Sequence, residues 1–195
     1  MKGCIAFILL SIASAWTPVD TFGQAEPGPY ERLTFRMQYF SNVNRNAFHR
    51  YWSAPGGIGL TAATPFYYGD LECGANVWWF DEKQIDGSDF VNTCLFVGWG
   101  INTELHDRLS WYNGVNIGGN QMVFEDEEDD SFKYESEMGY MCISRFDVRF
   151  SPQYHAHIAF SYQQILTHHR IHLFYISAGA GFSFDTPGWL IEVLR

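Results

Sequence analysis

The chain has 195 residues, 18% of them aromatic and only 17% charged, with 18 glycines and a formal net charge of −10. That length suits one domain, and the acidic balance excludes a nucleic-acid binder, which needs a basic surface for phosphate. No run of about 20 apolar residues occurs after the N-terminus, so no transmembrane helix is expected in the mature chain.

The first 25 residues read as a secretory signal. Lys2 is the positive start, the run from Cys4 to Ala15 is the apolar core, and small residues end at Ala15 and Ala25. We expect a signal peptide over 1–25, cleaved after Ala25, and a linker over 26–30. Cys4 lacks a leucine-led lipobox, so no lipid anchor is expected. The three later cysteines, Cys73, Cys94 and Cys142, are odd in number, and the alternation below sets Cys94 on the face opposite the other two. No structural disulfide is expected.

Alternation of period two then recurs eight times, and helical periodicity is absent until the end. Leu33, Phe35, Met37 and Tyr39 alternate with Thr34, Arg36 and Gln38. Ile58, Leu60, Ala62 and Phe66 oppose Gly57, Gly59, Thr61 and Ala63. Leu71, Cys73, Ala75, Val77 and Trp79 oppose Glu72, Gly74 and Asn76. Val91, Leu95, Val97, Trp99 and Ile101 oppose Asn92, Cys94, Gly98 and Gly100. Leu109, Trp111, Val115 and Ile117 oppose Ser110, Gly114, Asn116, Gly118 and Asn120. Met138, Tyr140, Cys142, Phe146 and Val148 oppose Glu135, Glu137, Gly139, Arg145, Asp147 and Arg149. Ala156, Ile158, Phe160, Tyr162 and Leu166 oppose His155, His157, Ser161 and Gln163. Ile176, Ala178, Ala180, Phe182 and Phe184 oppose Tyr175, Ser177, Gly179, Gly181 and Ser183. The connections include a tight Gly69-Asp70, a seven-residue 102–108 and the acidic run 125–131.

One face of every segment is thus large and apolar, and the other is small or polar. A soluble barrel would place its charges outside. Glycines, serines and asparagines instead suit the cramped interior of eight closed strands, and the apolar face suits lipid. Strands of roughly 9–13 residues cross a bilayer when tilted, and closure removes the unpaired edge that lipid forbids. The expected fold is all-β: an eight-stranded antiparallel up-and-down transmembrane β-barrel over 31–184. Aromatics near strand ends predict interfacial girdles at Tyr67, Trp79, Trp99, Trp111, Phe150, Phe182 and Phe184. Pro187 ends the last strand, and Trp189, Leu190, Val193 and Leu194 then share a helical face. A short amphipathic helix is expected in the tail, 185–195.

With its signal peptide, eight alternating strands and aromatic last strand "FYISAGAGFSF", the chain resembles the small outer-membrane barrel proteins of diderm bacteria, of the OmpA-transmembrane or OmpX type. The resemblance implies a porin-like outer-membrane location, contact with lipid and lipopolysaccharide, and passage by periplasmic chaperones to the barrel-assembly machinery. The chain departs from that pattern at its end, because eleven residues follow Phe184.

Charges in a narrow lumen must pair. Arg36, Glu72, Glu135, Glu137, Arg145, Asp147 and Arg149 are expected to form a lumenal ion-pair network. Glu125, Asp126, Glu127, Glu128, Asp129 and Asp130 form an acidic surface loop without the glycine spacing of a calcium site. His155 and His157 fall at one end of the seventh strand and His168, His169 and His172 at the other. About 35–40 Å of strand separates them, so one site cannot hold them all and no metal is expected. Ser161 and His157 share an inward face, which gives no paired nucleophile and base at the membrane surface, and no catalytic residues or cofactors are assigned. The expected role is structural, adhesive or interactive, in a monomer with a polar side-chain-filled lumen. A narrow passive channel and a lipid A-modifying enzyme are the alternatives.

Overall fold

The computed structural model describes residues 28–83, 88–125, 132–168 and 170–194. The expected signal peptide, Asp126 to Asp130 of the acidic loop, and His169 lie outside them. Each alternating segment forms a strand: β1 (Arg32–Asn42), β2 (Trp52–Phe66), β3 (Gly69–Glu82), β4 (Phe90–His106), β5 (Leu109–Glu125), β6 (Phe132–Arg149), β7 (Tyr154–Ile165) and β8 (Ile171–Asp185). Each pairs antiparallel with its neighbour, and β1 closes on β8 from Arg32↔Asp185 to Asn42↔Tyr175. The result is a closed eight-stranded up-and-down barrel. A short helix, α1 (Gly188–Leu194), follows Pro187 and leaves Trp189 and Val193 exposed.

The chain turns tightly at the end that carries the termini. Residues 67–68, 107–108 and 150–153 make those turns, while β1, β3, β5 and β7 finish at the other, loop end. Two expected connections move. The turn after β2 is Tyr67–Tyr68, not Gly69-Asp70, since Asp70 pairs with both Pro65 and Gly100. Tyr67 takes φ 52 to make it. The expected seven-residue connection 102–108 shrinks to Asp107–Arg108, because Asn102, Thr103 and Glu104 continue the ladder against Tyr112, Trp111 and Ser110. Paired backbone groups win over unpaired ones at the edge of an apolar phase.

Side-chain direction follows the sequence alternation in every strand. Phe35, Met37, Leu60, Leu95, Val97 and Ile117 stand exposed on the outside. The inward face is a correction to the expected polar lumen. Its loop-end half is filled by Phe40, Trp78, Phe80, Phe90 and Tyr175, all under 5% exposed. Trp78 stacks on Tyr175 at 5.7 Å and packs on Phe40 at 5.6 Å.

The inward glycines are small because these rings lie over them. A methyl group on Gly57 would lie 2.4 Å from Trp78 Cδ1 and 2.5 Å from the Val77 carbonyl oxygen. On Gly74 it would meet the Leu60 oxygen at 2.2 Å and Phe96 Cζ at 2.8 Å. Large rings on one strand and glycines on the next interlock as core layers do. Gly57→Ala is therefore expected to destabilise the folded barrel by about 1–3 kcal/mol, read as a lower urea midpoint in refolding from detergent. An unchanged midpoint would show that the Trp78 ring moves aside freely.

Candidate functional site in the lumen

The terminal half of the lumen holds charge. Arg36 on β1, Glu72 on β3, and Arg145 and Asp147 on β6 meet there, each under 9% exposed. Arg36 Nη1 and Arg145 Nη2 both donate to Glu72 Oε1, each at 3.0 Å. Arg145 Nε donates to Asp147 Oδ2 at 2.9 Å. The Arg145 guanidinium also lies 4.2 Å from the Tyr112 ring centroid, a buried cation–π contact. Asp70 sits within the electrostatic reach of all four charges.

Three of the seven residues expected in one network lie elsewhere. Glu135 and Glu137 have the inward register, opposite Met122 and Asn120. They sit at the loop end, though, above Gly139, where β6 begins to pair with β7. Glu137 is eight residues from Arg145 along β6, about 27 Å at the strand rise. Shared parity gave them the direction of the cluster but not its height. Arg149 pairs with Glu104 at 2.7 Å on the half-exposed terminal rim. Glu125 is the last residue of β5 and is exposed.

Between the charged cluster and the rings lies an amide layer. Asn92 Nδ2 and Gln163 Nε2 both donate to Asn120 Oδ1 at 3.2 Å. A void of about 10 Å³, lined by Asn76, Asn116, Asn120 and Gln163 among others, has room for about one water. At the loop end a 3₁₀ turn, Ala47–Arg50, folds over the rings. Phe48 packs on Phe80 and Trp52, with centroids 5.4 and 5.3 Å apart. His49 Nε2 hydrogen-bonds Asn42 Oδ1 at 2.8 Å, and Lys83 Nζ donates to the His49 carbonyl oxygen at 2.9 Å. Burial, with Arg45 and Lys83 nearby, holds the His49 imidazole below its ordinary pKa.

The seven girdle residues do not divide evenly between the rims. Tyr67, Trp99, Trp111, Phe150, Phe182 and Phe184 gather at the terminal end, and Trp79 is at the loop end. Trp111 lies parallel to Phe146 at 5.9 Å, and its Nε1 donates to Ser144 Oγ at 2.8 Å. The loop-end aromatics that the sequence reading left out include Tyr140, Tyr162 and Phe174, with Tyr162 and Phe174 4.8 Å apart.

Cys73, Cys94 and Cys142 form no disulfide among the described residues. Ser161 Oγ has no hydrogen-bond partner among the described residues, and His157 Nε2 contacts Gln38 Oε1 at 3.4 Å. The structure also brings Asp147 to His155 and His157, the two histidines expected at one end of the seventh strand without a metal. Asp147, His155 and His157 are each more than 90% buried and offer donor atoms within 4.8 Å of one another. The signal was present in the chain: a tight turn at 150–153 sets Asp147 opposite His157.

No family model matches the chain, and no curated protein does. Solved structures match its fold. Neisserial surface protein A matches with a TM-score of 0.55 at 10% identity, over 79% of this chain and 96% of that one. The N-terminal β-barrel domain of Pseudomonas aeruginosa OprF matches at 0.53 and 10% identity, over 80% of this chain and 99% of that one. Ail, the attachment invasion locus protein of Yersinia pestis, matches at 0.52 and 12% identity, over 79% of this chain and 99% of that one. The shared feature is the fold, that of the small eight-stranded outer-membrane barrels.

Proposed function

We propose that this chain is a non-enzymatic, non-conducting barrel of the bacterial outer membrane that works by presenting its loop end to partners outside the cell. The observation that carries this reading is the filled lumen. The layer of Trp78, Phe40 and Tyr175 and the four-charge cluster of Arg36, Glu72, Arg145 and Asp147 lie in series along the axis. An interior packed this way leaves the outer surface as the working part. The apolar exterior of Met37, Leu60, Leu95 and Ile117 supports placement in lipid, and the exposed Trp189 and Val193 of α1 support an interfacial anchor on the periplasmic side. The Yersinia structure of the same fold is that of an attachment invasion locus protein, which supports a surface role. In this reading the protein is a monomer, reaches the membrane through an N-terminal signal and the barrel-assembly machinery, and meets lipopolysaccharide at its loop end.

Conductance across a planar lipid bilayer tests the proposal. The refolded protein should insert without discrete current steps. Regular unitary steps would overturn the non-conducting reading in favour of a narrow channel.

A further inference from the structure

Beside the charged cluster, Asp147, His155 and His157 each bring a potential ligand atom within 4.8 Å of the other two. Asp147 Oδ1, His155 Nε2 and His157 Nδ1 make no hydrogen bond among the described residues, although buried polar atoms are nearly always paired. The first two are 3.8 Å apart. The three residues are 6%, 7% and 3% exposed. The arrangement has support around it. Asp147 is held through its other oxygen by Arg145, leaving Oδ1 free to turn inward. His157 Nε2 faces Gln38 Oε1, which also accepts from Ser177 Oγ at 3.3 Å. That contact favours the tautomer with the proton on Nε2 and the lone pair on Nδ1. On β8, Gly181 and Gly179 stand opposite the two histidines. A methyl on Gly181 would lie 2.1 Å from His155 Nε2, and one on Gly179 2.7 Å from His157 Cε1. Two glycines thus clear the space that two imidazoles occupy.

We propose that Asp147, His155 and His157 form a lumenal binding site for a divalent first-row transition metal ion of the Zn²⁺ class. Two imidazoles and one carboxylate are borderline ligands that favour such ions over Mg²⁺ and Ca²⁺. Three protein ligands leave a coordination position for water. The neighbouring charge is of both signs: the carboxylates of Glu72 and Asp147 lie against the guanidiniums of Arg36 and Arg145, and the added carboxylate-bound cation must compete with those guanidiniums. Arg36 Nε, 3.8 Å from Asp147 Oδ1, is the group that the ion displaces, and Arg36 keeps its bond to Glu72. His155 is the second residue of β7, so the site lies within reach of the terminal mouth.

Zn²⁺ titration of the chelator-stripped, refolded barrel, followed by calorimetry, tests this. One ion should bind per barrel. His155→Gln and His157→Asn should each weaken binding at least about tenfold, and His172→Gln at the loop end should leave it unchanged. Folding of every variant is checked by its heat-modifiable migration on a gel. On the unaltered protein, Zn²⁺ should also shift the imidazole resonances of His155 and His157. Absence of binding, binding indifferent to both substitutions, binding lost in His172→Gln, or unshifted His155 and His157 resonances would each overturn the site.

Discussion

Replacing Glu72 with alanine is expected to lower the unfolding free energy of the barrel by about 3–5 kcal/mol, the cost of leaving buried charge without its partner. Glu72 is 1% exposed, and one of its oxygens accepts from both Arg36 and Arg145. Removing it leaves Arg36 without its hydrogen bond to a carboxylate, because Asp147 bonds Arg145 at 2.9 Å and reaches Arg36 only at 3.8 Å. The deficit should be larger than that of any surface ion pair, such as Glu104 with Arg149, which is worth about 0–1 kcal/mol on its half-exposed rim. Urea titrations of the refolded wild type, Glu72→Ala and Glu104→Ala, followed by tryptophan fluorescence, give the comparison. Equal midpoints for the two variants would mean that water reaches the cluster and screens it.

The second large effect is expected at Trp78. Its ring is 1% exposed and contacts both Phe40 and Tyr175. Trp78→Ala removes the middle of that layer, and the strands around it are tied by backbone ladders that prevent collapse. A loss of about 3–5 kcal/mol is expected, as for other buried aromatic-to-alanine changes. The same variant separates the two barriers in the lumen. Bilayer recordings should remain silent, since the four-charge cluster still closes the terminal half. Current steps in Trp78→Ala would place the whole barrier in the aromatic layer and leave the cluster a purely structural role.

Much of this could be read along the chain. Period-two alternation is a local property, and one-residue slips would turn every apolar side chain inward. Strand number, facing and closure therefore followed from residues such as Met37, Leu60 and Leu95 against Arg36, Thr61 and Cys94. The tail helix followed from Pro187 and the spacing of Trp189 and Val193. The readings that changed concern what meets what. Phe40, Trp78 and Phe80 lie on the inward parity beside glycines, and the sequence shows both kinds of residue. The interlock becomes visible only when the ladder sets Gly57 beside Trp78.

The candidate sites divide along the same line. Arg145 with Asp147, and Asp147 with His157, are neighbours on one strand or across one tight turn, so they were within reach of the sequence. The meeting of Arg36, Glu72 and Asp147 from β1, β3 and β6 was not, nor was the exclusion of Glu135 and Glu137. The direction of each side chain is legible along the chain, because alternation is set by the backbone of its own strand. The height at which side chains from distant strands meet is not, because strand tilt and the stagger of the closed ladder are properties of the whole barrel.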